Sequence, residues 1–453
     1  MALTLPAHPD ADHDEILRSG LLQELSHAVG GPFHFLRPDR FDANRAALRA
    51  VLDGAGVESR VYFAKKANKA AAFTERCADT GTGVDVASHG ELREALGHGV
   101  RGEDLVVTGP AKADQLLRVA ALQGALIAVD SPDELERVLC LETPRPPRIL
   151  LRRRPPSQPE SRFGLDDGQL DAALLRCAAA GDLVRMEGLS FHLSGYAVQP
   201  RTDLAGELVE LCLKARMLGL QADRISIGGG LAVDYTAATH WQAFLTAQGP
   251  DDYHARKSFA TADFYPYHSP VAGADALRAV LTARPHGRGA TLAARLREAG
   301  VLLLLEPGRA LLDGAGSSVF RVQGVKDRAG YGIVTVDGTS LSLSEQWFNS
   351  EYLPDPVLLT EGRTGTGEPD ADDPAYRACV GGASCLDSDL LSWRKIAFPR
   401  RPRVGDLIVY PNTAGYQMDS NESPFHDLPL PPKVVVQHSD GRLRWRFDRR
   451  PTR

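Results

Sequence analysis

The chain has 453 residues, of which 43% are hydrophobic and 24% charged, an ordinary globular composition that excludes disordered and fibrous classes and implies two or three domains. Its formal net charge of −6, with both signs mixed, excludes a basic stripe for nucleic acid, and the run Arg152-Arg153-Arg154 is too short to change this. No apolar run reaches membrane-spanning length, and no signal peptide is expected in MALTLPAHPDADHDE, which has early prolines and acids. The six cysteines, Cys77, Cys140, Cys177, Cys212, Cys379 and Cys385, lack metal-type spacing, so no metal site is expected and a reduced, cytoplasmic protein is.

Taken in order, residues 14–28 read as helix, 32–36 as strand and 42–53 as helix, stopped by Gly54 and Gly56. Residues 61–64 form the next strand, and the composition turns helical from Asn68, so Lys65 and Lys66 sit where a strand hands over to a helix. Alternation along a strand puts Tyr62, Ala64 and Lys66 on one face and Val61, Phe63 and Lys65 on the other, so one lysine at most enters a site. A lysine pair of this kind is, by itself, merely a solvated strand end.

Strands at 83–88, 105–109, 126–130, 148–152, 188–193, 224–227 and 301–305 follow, alternating with helices at 112–123, 132–140, 171–180 and 202–218. About eight strands in this rhythm predict an α/β fold built on a closed parallel (β/α)8 barrel, with a doubly wound open sheet as the rival. The barrel is expected over 36–311, preceded by an N-terminal segment, 1–35, able to pack with a mainly β domain over 312–453. That domain has strands at 319–325, 331–336, 406–410, 433–437 and 442–447 and a polar loop at 361–373. The connection 232–300 is too long for a βα loop and carries Phe264-Tyr265-Pro266-Tyr267-His268. It is expected to cover or shape a substrate pocket.

Chemistry-bearing residues fall at strand ends. Gly228, Gly229 and Gly230 let backbone N–H groups approach an anion. Glu306-Pro307-Gly308-Arg309 places a carboxylate and a guanidinium at another strand end, and His192 closes a further one. A lysine, a carboxylate, a phosphate-type glycine loop and an arginine on one barrel face suit pyridoxal 5′-phosphate (PLP). Lysine bonds the aldehyde, the carboxylate keeps the pyridine nitrogen protonated, and amides with arginine hold the phosphate. For that role the Lys66 amine is expected to titrate below its ordinary value, through desolvation or positive neighbours.

Phe63-Ala64-Lys65-Lys66-Ala67-Asn68 is similar to the YAxKAN segment of the PLP-dependent decarboxylases of the ornithine and diaminopimelate decarboxylase superfamily, and the stretch 83–92, GVDVASHGEL, to its GxDVxSxGEL segment. Arg152 falls where LRINP has its arginine, and Gly188-Leu189-Ser190-Phe191-His192 resembles GLHFH. Gly382-Ala383-Ser384-Cys385 with Asp389 resembles GPxCxSxD, and Gly405-Asp406 followed by Ala414-Gly415-Tyr416 resembles GDxLxFxxAGAY.

This resemblance implies a decarboxylase with Lys66 as the cofactor-bonding lysine, Ala64 beneath the cofactor, Asp85 and Arg152 around it, and His192 stacked on its ring. Gly228, Gly229, Gly230, Gly308 and Arg309 would hold the phosphate and Glu306 the pyridine nitrogen. It also implies a head-to-tail homodimer in which Cys385 is donated to the partner's active site and Tyr416 binds phosphate there. The catalytic set is then Lys66, Cys385 and His192.

The family usually carries an acid directly after the cysteine, for the substrate's distal ammonium. Leu386 stands there, with Asp387 as a nearby substitute and Asp389 of the cysteine box also expected to bind substrate, so ornithine, lysine and diaminopimelate are disfavoured. Ser190 and Ser194-Gly195-Tyr196 also depart from the pattern, and Glu351, Asp355 and the aromatics around Tyr265 are candidate specificity residues. A larger or differently charged amino-acid substrate follows, such as an intermediate of siderophore or antibiotic assembly. The rivals are an amino-acid racemase or epimerase and a cofactor-free regulatory homologue.

Overall fold

A computed structural model describes residues 3–328, 330–343, 350–360 and 375–449; the polar loop expected at 361–373 lies outside the described residues. Eight parallel strands close a barrel: β2 (Ser59–Ala64), β3 (Gly83–Val86), β4 (Leu105–Val107), β5 (Leu126–Val129), β6 (Arg148–Arg152), β7 (Arg185–Ser190), β8 (Arg224–Ser226) and β9 (Leu302–Leu305). Tyr62, Val106, Leu126, Leu150 and Leu304 fill its interior. Their sequence neighbours Val61, Phe63, Leu105, Val107, Ile127, Ile149, Leu151, Leu303 and Leu305 point outward into the core shared with the helices. Because both faces are buried, these strands read as continuous apolar runs rather than alternating ones.

Helix starts are set by caps. The helix expected at 171–180 is Asp167–Ala180, because Asp166 and Gln169 form a reciprocal capping box. Helices Pro132–Leu139 and His89–Gly97 begin after Ser131 and Ser88, whose hydroxyls accept the backbone N–H of Glu134 and Glu91. The connection 232–300 divides in two. Gly273–Thr282 and Leu292–Ala299 pack on Val198–Met217 as part of the barrel's helical layer, so only the portion before Gly273 departs from the barrel. That portion sends Val233, Tyr235, Phe244, Tyr253, Phe259, Phe264 and Tyr267 into one core with Phe320, Val334 and Ile396 of the β domain.

The β domain's strands are β10 (Gly316–Arg328), β11 (Tyr331–Val336), β12 (Val357–Leu359), β13 (Tyr376–Gly381), β14 (Leu390–Phe398), β15 (Leu407–Tyr410), β16 (Lys433–Ser439) and β17 (Arg442–Phe447). With β1 (Phe33–Leu36) included, its sheet runs β14-β13-β11-β10-β1-β16-β17, with β15 joining β10 to β12. The inserted strand β1 (Phe33–Leu36) comes from the N-terminal segment, antiparallel to β10 with Phe35 opposite Ser317 and parallel to β16 with Phe35 opposite Val434. Strands β12, β13 and β14 are absent from the sequence reading. In β14 the buried positions include Ser392 and Arg394, which breaks the apolar alternation that marks a strand. Among the described residues no helix is long and apolar enough to cross a membrane.

Candidate active site

A cavity of about 650 Å3 opens at the C-terminal ends of the barrel strands, and Lys66, Arg152, His192, Glu306, Arg309 and Tyr416 all line it. Strand alternation does not place Lys66. Strand β2 stops at Ala64, and Lys65–Ala67 form a tight turn that swings Lys66 to the cavity. Nor does Lys65 face solvent: it is 1% exposed, and its Nζ donates to Thr74 Oγ1 at 3.3 Å and the Lys69 carbonyl at 3.4 Å.

Lys66 Nζ stands 3.8 Å from Asp85 Oδ2. The other Asp85 oxygen accepts the Thr108 hydroxyl at 2.6 Å, while Oδ2 has no hydrogen-bond partner. The expectation of a lowered Lys66 pKa is overturned. Burial does oppose its charge, but Asp85, Tyr416 and Glu306 together outweigh burial and hold the amine above its ordinary range. Glu306, buried at the end of β9, accepts the Ser226 hydroxyl at 2.5 Å. Burial, then the Asp85 charge, push its pKa up to about 7. His192 lies two residues beyond β7, where burial and then Lys66, Arg152 and Arg201 drop it to about 3, so the imidazole is neutral at neutral pH.

The glycine loop is tight. Gly228 and Gly230 have φ of +65° and +75°, and a Cβ on Gly228 would come within 2.8 Å of His192 Nδ1. One on Gly229 would meet the Glu306 carbonyl oxygen at 2.7 Å. Behind the loop the buried Arg201 donates to the Ile227 carbonyl at 3.0 Å and the Gly195 carbonyl at 3.0 Å. Sequence reasoning missed Arg201, although it shares a helical face with Leu204, Ala205 and Leu208, an apolar stripe where an arginine is out of place.

Arg309 donates to the Gly415 carbonyl at 3.1 Å and the Tyr235 hydroxyl at 3.2 Å, and lies 4.3 Å from the Tyr265 ring centre and 4.9 Å from that of Tyr416. Tyr265 and Tyr196 share a hydroxyl–hydroxyl bond of 2.8 Å, so the connection 232–300 does reach the cavity wall, through one tyrosine. Tyr416 lines the cavity of its own chain. Arg152 donates to Asp130 at 3.1 Å and stacks 4.5 Å from the Phe163 ring centre. Ala64 packs 3.5 Å from where a Cβ on Gly308 would sit.

The remaining predicted residues are elsewhere. Cys385, Leu386 and Asp387 are exposed on the β domain, away from this cavity, with Cys385 Sγ 3.0 Å from His426 Nε2. Asp389 is buried, and its oxygens accept the backbone N–H groups of Ser340 at 2.7 Å and Ser384 at 3.1 Å, so it holds the cysteine loop. Glu351 accepts the Arg394 N–H and Asp355 pairs with the Arg394 guanidinium, a buried knot inside the β domain that does not touch the cavity. Among the described residues no cluster of ligands suits a metal ion.

Residues 42–248 match the family model described as pyridoxal-dependent decarboxylase, pyridoxal binding domain. The chain is 40% identical over 426 residues to the uncharacterized protein y4yA of Sinorhizobium fredii, covering 93% of this chain and 91% of that protein. It is 26% identical to diaminopimelate decarboxylase of Deinococcus radiodurans, over 93% of this chain and 94% of that one. Among solved structures, diaminopimelate decarboxylase from Helicobacter pylori superimposes with a TM-score of 0.71 at 17% identity, covering 94% and 96% of the two chains. Arginine decarboxylase of Paramecium bursaria Chlorella virus does so with 0.67 at 17%, covering 92% and 99%. The chain belongs to the pyridoxal-dependent decarboxylases of the ornithine and diaminopimelate superfamily. It is a PLP-dependent amino-acid carboxy-lyase.

The residues present fit that cofactor. The glycine cradle would be filled by any Cβ, Lys66 in the cavity stands beside an Asp85 oxygen that accepts no hydrogen bond, and the Oγ of Ser190, which lines the cavity, is likewise buried without one.

Proposed function

We propose that the enzyme removes the α-carboxylate of an amino acid or amino-acid-derived biosynthetic intermediate to leave an amine. The observation that carries this reading is the convergence of Lys66, Glu306, His192 and Arg309 on one cavity at the barrel mouth. Lys66 would bond the cofactor aldehyde and Glu306 its pyridine nitrogen. The amides of Gly228, Gly229, Gly230 and Gly308, with Arg309 and Tyr416, would take the phosphate, and neutral His192 would lie against the ring beside Arg152 and Asp85. When bound, PLP supplies an electron sink for the pair left at Cα when the carboxylate departs.

The chain's own groups do the rest. Buried between Ser226 and Asp85, Glu306 carries a pKa of about 7, which suits sharing a proton with a ring nitrogen. Cys385 from a second copy in a head-to-tail homodimer would return a proton to Cα. Its exposure, and its distance from the cavity of its own chain, support that reading. Leu386, 50% exposed beside it, would meet the far end of the substrate without a counter-charge for an ammonium. This favours a larger or differently charged substrate, such as a siderophore or antibiotic intermediate. All six cysteines are unpaired, which supports a reducing, cytoplasmic setting.

The test is to incubate purified enzyme with candidate amino acids and pathway intermediates, reading CO2 release and product mass. Inverted chirality without CO2 would favour a racemase and sink the proposal. Lys66→Ala is expected to lose the visible cofactor absorbance and turnover, whereas Cys385→Ala keeps the cofactor but loses clean amine product.

A further inference from the structure

The helix that follows the Lys66 turn, Ala71–Thr80, starts with Ala70 in the capping position and has no side-chain cap of its own. Its first N–H groups would be left without acceptors. Instead Asp448, directly after β17, reaches in from the far end of the chain, accepting the N–H of Ala71 at 2.8 Å through one oxygen and that of Ala72 at 2.7 Å through the other. Asp448 is 9% exposed, and a carboxylate there also suits the positive end of the helix dipole.

The turn itself is held by the same domain. Asp419 accepts the Lys69 N–H at 2.6 Å and is paired with Lys433 of β16. Asn68 donates to the Ala414 carbonyl at 2.9 Å, and the Ala67 carbonyl accepts the Tyr416 N–H at 2.8 Å. Every residue from Ala67 to Ala72 except Ala70 is therefore bonded to the β domain, and the Ala70 N–H is taken by Asn68 Oδ1 at 2.9 Å. Lys66 stands directly before this stretch, with nothing but a single turn between it and β2.

We infer that Asp448, backed by the β16–β17 hairpin, is a positioning residue that fixes where the Lys66 amine sits. The inference rests on Lys66 being the lysine that bonds the cofactor. A small displacement of a reacting group costs rate far more than it costs binding. Asp448→Ala should therefore lower kcat about tenfold while KM stays within about twofold and the lysine-linked absorbance persists. Asp448→Asn, which keeps an acceptor for one of the two N–H groups, should recover part of the rate.

The control is Asp166→Ala, which removes the cap of a barrel helix that does not carry Lys66. It should lower the melting temperature without lowering kcat. In protein stripped of cofactor, amide hydrogen exchange over residues 67–75 should speed up at least tenfold in Asp448→Ala and stay unchanged in Asp166→Ala. Three outcomes would overturn the inference: unchanged kcat and exchange in Asp448→Ala, an equal kcat loss in Asp166→Ala, or no recovery in Asp448→Asn. If the assignment of Lys66 is itself mistaken, Lys66→Ala keeps its absorbance while the exchange result still stands alone.

Discussion

At the scale of single residues, what a side chain does is set by the group it meets, and that group is often far away in sequence. Lys66, Glu306 and Arg309 were legible because each sits in a short motif whose chemistry is local. The pairing of Cys385 with His426 was not, since the partners are 41 positions apart. His426 lies at φ +60°, in a loop that the sequence marks as a turn region, through Asn421, Ser423 and Pro424, without indicating its partner. An imidazole 3.0 Å from a thiol is placed to exchange a proton with it, so His426 is expected to tune the reactivity of Cys385. His426→Asn is expected to slow alkylation of Cys385 by iodoacetamide severalfold at neutral pH, followed by peptide mass spectrometry, and to leave the cofactor absorbance intact. Equal alkylation rates in the two proteins would remove His426 from the thiol's chemistry.

At the scale of elements, the barrel strands could be read from apolar runs of the right length, whereas their ends could not. The turn that aims Lys66 begins directly after Ala64, and alternation extended past that point sent Lys66 towards the cavity for the wrong geometric reason. The glycine loop is the element where sequence and geometry agree most closely. Gly228 needs a positive φ, and it also needs the absence of a Cβ, because His192 Nδ1 lies 2.8 Å from where that atom would be. An alanine there carries a backbone cost of roughly 1–2 kcal/mol and must push the imidazole aside. Gly228→Ala is therefore expected to weaken PLP binding by about tenfold or more, read by equilibrium dialysis of the cofactor, with far-ultraviolet circular dichroism unchanged. Binding as tight as wild type would mean the loop relaxes without disturbing His192.

At the scale of the whole molecule, the two domains are stitched together by segments that sequence order separates. Strand β1 from the N-terminal segment lies inside the β sheet, and the stretch before Gly273 shares the β domain's core. No local pattern encodes such pairings, since they depend on which distant surface buries an apolar face. Their seam holds two buried histidines. His13 Nε2 lies 3.0 Å from Ser317 Oγ and His34 Nδ1 lies 2.9 Å from Ser318 Oγ, joining the N-terminal segment to β10. Burial, with Arg37 adding to it, lowers His13 to about 4, and burial, with Lys433, lowers His34 to about 3.

Both rings are therefore neutral in the native state at a pH where the unfolded chain, with an ordinary value of 6.5, already binds protons. Stability from each is fully present above pH 6.5 and is lost as the pH falls towards 4 for His13 and 3 for His34, at about 1.4 kcal/mol per pH unit. Glu306 at about 7 and Asp337 at about 6 act in the opposite sense, taking up protons in the native state first, so the wild-type curve alone conceals the effect. Comparison with His34→Asn isolates it, because those carboxyls titrate alike in both proteins. The variant is expected to be less stable at pH 7, with the gap narrowing by about 2 to 3 kcal/mol between pH 6.5 and 4.5 in urea titrations. A gap that stays constant with pH would show that His34 takes up its proton in the folded protein as readily as in the unfolded chain.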